Sequence, residues 1–504
     1  MADEIVLQYL EKWGVSREIV KLVTRPIAHW IDGAPVELGE RIPVYEPSTG
    51  ATLTDTFDGG AEIVEQAVRS SRRAFEGEWS AMRSLDRQSL IFRLADLMET
   101  HKEELGLLES IDVGKPLSQA VPIDIGGAID VIRYFAGWAT KISGRTGDMV
   151  AYDQQFLGMT LRQPVGVVAA IAPWNFPFQT LVWKIGAALA AGCTIVAKPS
   201  DTTPVSTLRL AELITQAGFP DGVFNVVNGK GSHTGAALVA HSGINKVSFT
   251  GSTPTGIKVG EAALQNMTRL TLELGGKSPA LVFADSDIDV VVEGLYNGIF
   301  FNTGQVCDAT SRAIVDASIF DEVLDRLVER TKSVRILPGL DPESGMGPLA
   351  SSTHRDSVMR FVNLARADKL TLALDQAQTQ NSGYFVGPVI VENPPHDHAV
   401  WRDEVFGPVL ALSRAQDSQD IVRQAADTRY GLAAAIYSRD IQRVLGAARS
   451  LNAGTIYVNG HGFLDPSFPF GGLGMSGFGK DMGAEQMDAY LETKTLLVSG
   501  VGVG

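Results

Sequence analysis

The chain has 504 residues, a formal net charge of −15, 45% hydrophobic and 20% charged residues, and two cysteines. The acidic balance speaks against binding nucleic acid by phosphate neutralisation, two cysteines cannot build a disulfide framework, and the length calls for two or three domains. The N-terminus, MADEIVLQYLEKW, lacks the basic region and long apolar core of a signal peptide, and no uncharged apolar run reaches about 18 residues, so a cytoplasmic protein without a membrane partner is expected.

Residues 1–30 read as a short helical prefix, with Ile5, Val6, Tyr9 and Leu10 at roughly helical spacing, followed by short strands and turns in HWIDGAPV and RIPVYEPSTG. From 61 to about 118 the pattern is helical, and the charges of its long amphipathic stretch, 84–108, read as a solvated face. Residues 148–163 read as a strand pair. VGVVAAIAP, TIVAKPS, VFNVVNG and KVSFTGS then form apolar, strand-like runs separated by helical segments such as 203–216 and 256–265. This alternation predicts an α/β protein with a parallel, doubly wound sheet, whose ligands bind at the carboxyl ends of the strands. A second alternating block spans 278 to about 458, and the Gly-rich DPSFPFGGLGMSGFGK follows as a loop. The tail YLETKTLLVSG reads as a strand that needs a partner edge, either the 148–163 pair or another subunit's sheet.

Cys307 lies in FNTGQVCDATSR, a polar, loop-like segment, and is the candidate nucleophile. Glu273 closes a strand before two glycines in TLELGGKSP and is the candidate base. Together they point to attack, acyl-enzyme formation and hydrolysis. Asn175, in IAPWNFPFQT, either offers its amide to an oxyanion or is a turn residue bonding its own backbone. Lys198 and Asp201, in AKPSDTTP, suit a ribose diol, while Asp201 or Thr202 could equally cap the next helix. Gly229, Gly231 and Gly235 approach a dinucleotide fingerprint with one residue too many. Gly251 and Ser252 end a strand before a helix, as a pyrophosphate site or merely a tight turn. Cys193, flanked by apolar residues, is expected in the core. His396 and His398 lack further ligands at metal spacing, so no metal is expected.

Taken together, PWNFP, AKPS, FTGS, LELGGKSP, GQVC, DEVFGPV and PFGGLGMSGFG resemble, in order and from about residue 30 to the C-terminus, the NAD(P)-dependent aldehyde dehydrogenase superfamily. The resemblance implies three parts: a Rossmann-like cofactor domain (1–142 and 163–272), a catalytic domain (273–480) and a small β oligomerisation flap (143–162 and 481–504). It also implies a homo-oligomer, dimer or tetramer. Carried over motif by motif, it makes Cys307 the nucleophile, Asn175 with the Cys307 backbone N–H the oxyanion hole, and Glu273 the base that activates the deacylating water. Lys198 and Asp201 would contact the adenosine ribose, Trp174 and Ser252 the pyrophosphate, and Glu404 the nicotinamide ribose. Phe406 would pack near the nicotinamide, with Gly231 and Gly251 in the cofactor loops.

The implied reaction oxidises an aldehyde to an acid with NAD or NADP through a cysteine thiohemiacetal and thioester. Glu273 favours hydrolysis over transfer to coenzyme A. A coenzyme A-acylating or semialdehyde enzyme of the same fold is the alternative, and a cofactor-independent cysteine acyltransferase or hydrolase is the competing class. Four residues depart from the family pattern. Asp201 stands where glutamate is usual, and its carboxylate still favours NAD. Gly474 replaces a common lysine and Asp481 a common glutamate, which weakens inference about subunit contacts. Asp308 follows the nucleophile directly, and either faces Cys307, lines the tunnel, or turns away and bonds locally. Phe176, Trp183, Phe301 and Phe463 match or adjoin the substrate tunnel, which suits aliphatic, aromatic or, by cation–π attraction, amino- and betaine-type aldehydes. Glu109 or Asp112 could meet an amino group at the tunnel mouth.

Overall fold

The computed structural model describes residues 2–149, 156–378 and 382–499. The first sheet is centred on five parallel strands: β1 (Val167–Ile171), β2 (Thr194–Lys198), β3 (Phe224–Val226), β4 (Lys246–Thr250) and β5 (Arg269–Glu273). Their spatial order is β3-β2-β1-β4-β5. Every residue of β1, β2 and β3 is buried. The alternation of strand side chains explains why: Val168, Ala170, Ile195 and Ala197 enter one core, while Val167, Ala169, Ile171 and Val196 enter the core on the opposite face. An apolar run without polar alternation is therefore what this strand position demands.

The strand order reverses beside β1, so a crevice opens outside the carboxyl ends of β1 and β4. Register brings these ends level, with Ile171 opposite Phe249 and Thr250 opposite Glu273.

The second sheet holds six parallel strands: β6 (Pro279–Val282), β7 (Arg312–Asp316), β8 (Val389–Glu392), β9 (Val409–Ala415), β10 (Ala433–Tyr437) and β11 (Thr455–Val458). They run in the order β8-β9-β7-β6-β10-β11, with Thr371–Asp375 antiparallel at the β8 edge. Helices bordering the site are α1 (Gly126–Ala136), α2 (Pro177–Ala191), α3 (Thr253–Leu264), α4 (Ile288–Phe300) and α5 (Ser352–Ala367).

The tail strand Leu491–Ser499 finds its partner within the chain, pairing antiparallel with Phe156–Pro164 from Leu491↔Pro164 to Ser499↔Phe156. The pair expected over 148–163 is smaller, with Thr146–Asp148 against Leu157–Met159; residues 150–155 and 500–504 lie outside the described residues. The helical prefix is two helices, Glu4–Lys12 and Arg17–Thr24, the second capped by Ser16. Val6, Tyr9 and Leu10 are buried, whereas Ile5 faces out. The amphipathic stretch also divides, into Ser84–Thr100 and Lys102–Val113, with a break at His101. Among the described residues no helix is long and apolar enough to cross a membrane.

Candidate active site

A cavity of about 740 Å3 occupies the crevice outside β1 and β4, and Asn175, Glu273 and Cys307 all line it. Asn175 sits between β1 and α2, Glu273 is the last residue of β5, and Cys307 lies between α4 and β7. The Cys307 loop turns sharply because Asn302 and Thr303 adopt left-handed φ of 47° and 57°. Bonds hold this unfavourable backbone: Asn302 Nδ2 donates to the carbonyls of Asn175 (3.1 Å) and Gln305 (3.2 Å), and Thr303 Oγ1 donates to Gly347 O (2.9 Å).

Asn175 Nδ2 donates to Gln305 O at 2.8 Å, tying its amide to the cysteine loop. Its own carbonyl also accepts from Lys115 Nζ at 3.2 Å. The backbone N–H of Cys307 donates to no described residue. An amide N–H₂ has a second hydrogen, so two donors remain available in the cavity that Cys307 lines.

The electrostatics of this centre are those of a crowded acid cluster. Burial pushes the Cys307 thiol well up, and Asp308, Glu404 and Glu273 push it further. Burial likewise raises Glu273 well above the usual carboxylate range, reinforced by Asp481. Both Glu273 carboxyl oxygens are buried without a hydrogen-bond partner among the described residues. A carboxylate raised in this way is a stronger base once it loses its proton.

Asp481 is not on a subunit surface: it is buried, with Oδ2 2.9 Å from Lys184 Nζ and Oδ1 accepting from Gln486 Nε2 at 3.0 Å. The pair touches the site electrically from behind, because Lys184 opposes the effect of Asp481 on Glu273.

One half of the cavity has the features of a dinucleotide site. The N-terminus of α3 has no acidic residue in its first turn and no side-chain cap to its backbone, since Ser252 Oγ bonds Thr255 Oγ1 instead. Its free N–H groups and positive dipole end face the cavity beside Gly251, Ser252 and Thr250, whose buried Oγ1 lacks a partner. Glu404 is set by the Gly-Gly pair after Glu273. A Cβ on Gly275 would fall 2.0 Å from Glu404 Oε2, and Gly276 N–H donates to Glu404 Oε1 at 2.9 Å. Burial raises Glu404 to about 7.

A second cavity, of about 490 Å3, is lined by Asp201, Thr202 and Tyr384, and shares Trp174, His354 and Ser357 with the first. Asp201 does not cap the following helix; the N–H of Val205 goes to Asp112 Oδ2 at 2.8 Å. Lys198 Nζ is buried and donates to Pro199 O at 2.9 Å. Gly231 opens a π-helical turn whose Gly235 packs on Lys198, and it lines neither cavity.

His354, which no sequence signal singled out, joins the two cavities. Its ring packs at a tilt of 53° against Trp174 (4.7 Å between centroids), and Nε2 donates to Phe406 O at 2.7 Å. Burial lowers it to about 4, so it is neutral at ordinary pH with its proton on Nε2. This bond fixes Phe406 in a left-handed conformation, φ 57°, edge-on to Trp174 at 5.3 Å.

The other half is aromatic. Phe176 stacks on Phe301 at 6.1 Å and Trp183 meets Phe470 edge-on at 5.7 Å, all four lining the cavity. Phe463 does not line it: its ring is 62% exposed and packs edge-on against Tyr457. Asp308 neither turns away to bond locally nor stands free. It is buried with Oδ2 accepting from Tyr457 O–H at 2.7 Å, while still lining the cavity.

Glu109 and Asp112 are not at the tunnel mouth. Both are fully buried; Glu109 accepts from Phe178 N–H and Ser206 O–H, and Asp112 from Val205 N–H. Their task is to satisfy the first N–H groups of neighbouring helices. Cys193 is in the core, and His396 and His398 bond Ser413 and Asp368.

A sequence profile of the aldehyde dehydrogenase family matches residues 30–496. Human aldehyde dehydrogenase 1A1 is 40% identical over 463 residues, 91% of this chain and 92% of the human one. Phenylacetaldehyde dehydrogenase of Pseudomonas fluorescens is 42% identical over 462 residues, 90% of this chain and 92% of its own. An NAD+ complex of an aldehyde dehydrogenase from Bacillus cereus superposes with a TM-score of 0.93 at 37% identity, covering 96% of this chain and 99% of that one. Betaine aldehyde dehydrogenase from Staphylococcus aureus, in complex with NAD+, gives 0.93 at 34% identity, with 97% of each chain covered.

Proposed function

The chain belongs to the aldehyde dehydrogenase family of NAD(P)-dependent oxidoreductases, and from that premise we propose that it oxidises an aldehyde to a carboxylic acid with NAD+ through an acyl-enzyme on Cys307. One observation carries the reading: Cys307, Asn175 and Glu273 share the wall of a single cavity with Glu404 and the uncapped N-terminus of α3.

Once its proton has passed to solvent water, the Cys307 thiolate adds to the carbonyl carbon, and the oxygen that becomes negative is met by the Cys307 backbone N–H and Asn175 Nδ2. Bound NAD+ supplies the acceptor for the hydride that leaves this carbon. The thioester left on Cys307 is then cleaved by water, from which Glu273 takes a proton, and the carbon–sulfur bond breaks to free the acid and the thiolate. Trp174, Ser252 and the α3 N-terminus would hold the pyrophosphate, Lys198 and Asp201 the adenosine ribose, Glu404 the nicotinamide ribose, and Phe406 the nicotinamide face. The Asp201 carboxylate repels a 2′-phosphate, which favours NAD+ over NADP+.

The aromatic walls suit an aromatic, medium aliphatic or amino-type aldehyde, in keeping with the phenylacetaldehyde and betaine aldehyde dehydrogenases among the relatives. We assign 1–142 and 163–272 to the cofactor domain, 273–480 to the catalytic domain, and 143–162 with 481–504 to an oligomerisation flap. Exposed Leu161, Leu496 and Leu497 on its sheet favour a homo-oligomer.

The test is NADH absorbance with an aldehyde panel and both cofactors. Wild type forms NADH from NAD+ faster than NADPH from NADP+, and Cys307→Ala forms neither. A Cys307→Ala enzyme that still produces NADH overturns the reading.

A further inference from the structure

The cavity has an unusual charge inventory. Among the described residues four carboxyl side chains line it, Asp130, Glu273, Asp308 and Glu404, and no lysine or arginine does. Two of the four are hydrogen-bonded, Glu404 to Gly276 N–H and Asp308 to Tyr457 O–H, and Glu273 is buried with neither oxygen bonded to a described residue.

Asp130 is the exception. It lies on α1, where Gly127, Asp130 and Val131 fall on one helical face and all three line the cavity. It is exposed, and its carboxylate makes no hydrogen bond or ion pair with a described residue. The wall around it holds the Gln179 amide, which lies against Gly127 on the same helical face, together with apolar Ile123 (43% exposed), Leu464 (42% exposed) and the rings of Phe176, Trp183, Phe301 and Phe470.

A substrate ending in a carboxylate would meet the free Asp130 carboxylate and no lysine or arginine here, and like charges in a partly desolvated site repel. A substrate ending in an ammonium group would meet a free carboxylate and aromatic faces, both of which attract it. Resting on the function proposed above, we propose that Asp130 is a specificity-determining residue: it selects aldehydes carrying an amino or alkylammonium group at the end remote from the carbonyl and disfavours aldehydes ending in a carboxylate. The placement of Asp130, not that of Glu109 or Asp112, makes such selection feasible, since only Asp130 reaches the cavity.

The experiment compares kcat/KM for three aldehydes of equal length, ending in an amine, a methyl group or a carboxylate. In wild type the order is amine, methyl, carboxylate. Asp130→Asn lowers the amine-to-methyl ratio about fivefold, the scale of an exposed ion pair, and Asp130→Lys reverses it. Raising the salt concentration on wild type lowers the same ratio, which keeps the test valid if either variant unfolds early. An amine-to-methyl ratio at or below one in wild type, or a ratio that neither variant nor salt moves, overturns the inference. If none of the three aldehydes yields NADH, it is the proposed function that fails instead.

Discussion

The two ends of the catalytic cavity are built on different principles. The cofactor end is made of backbone: an uncapped helix terminus, a Gly-Gly step that admits the Glu404 carboxylate, and a left-handed Phe406 pinned by His354. The substrate end is made of side chains from α1, α2 and the 461–482 segment, aromatic within and acidic at its rim. Backbone construction fixes one geometry and tolerates little substitution. A wall of side chains can be retuned one residue at a time, so the reaction can stay constant while the substrate changes.

If that contrast holds, damage at the junction of the two ends should be severe and damage at either end graded. Asn175→Ala removes an oxyanion donor and should lower kcat about a hundredfold with little change in NAD+ binding; steady-state kinetics at saturating NAD+ check it. A loss confined to KM would mean that Asn175 serves the ground state instead. At the cofactor end, His354→Phe keeps a ring against Trp174 but loses the bond to Phe406 O. KM for NAD+ should rise about fivefold, the worth of one hydrogen bond, with a smaller effect on kcat. Because His354 titrates at about 4, its group is neutral throughout pH 5–9 and the wild-type to variant ratio should stay flat there. A ratio that changes near pH 6.5 would show a charged imidazole at work. The Asp130 variants probe the rim, where the effect is expected to be of similar size and to depend on substrate charge alone.

The same contrast explains what was legible in the sequence. Strands β1 to β3 stand out because burial on both faces leaves them no polar alternation, and residues at or just past the ends of the parallel strands reach the crevice through chain direction alone. Asn175, Glu273, Gly251 and Ser252 are of this kind. Asp308 could not be placed, because the hydroxyl that binds it belongs to Tyr457, far along the chain. Glu109 and Asp112 misled because charged side chains are usually solvated, whereas these two cap the N–H groups of Phe178 and Val205 in the interior. Phe463 adjoins cavity residues in sequence yet points its ring outward onto Tyr457. Asp130 and His354 carry no motif, and only the tertiary arrangement gives them neighbours that matter.

The central claim, that Cys307 carries the acyl group and Glu273 releases it, is tested most directly by trapping. In Glu273→Gln the first half of the reaction stays intact and the second is blocked. Mixing that variant with aldehyde and NAD+ should give a burst of one NADH per subunit, followed by turnover at least about a hundredfold slower than wild type. Mass spectrometry should then find the acyl mass on the peptide containing Cys307. Undiminished turnover without a burst, or an acyl group on any other residue, would contradict the account.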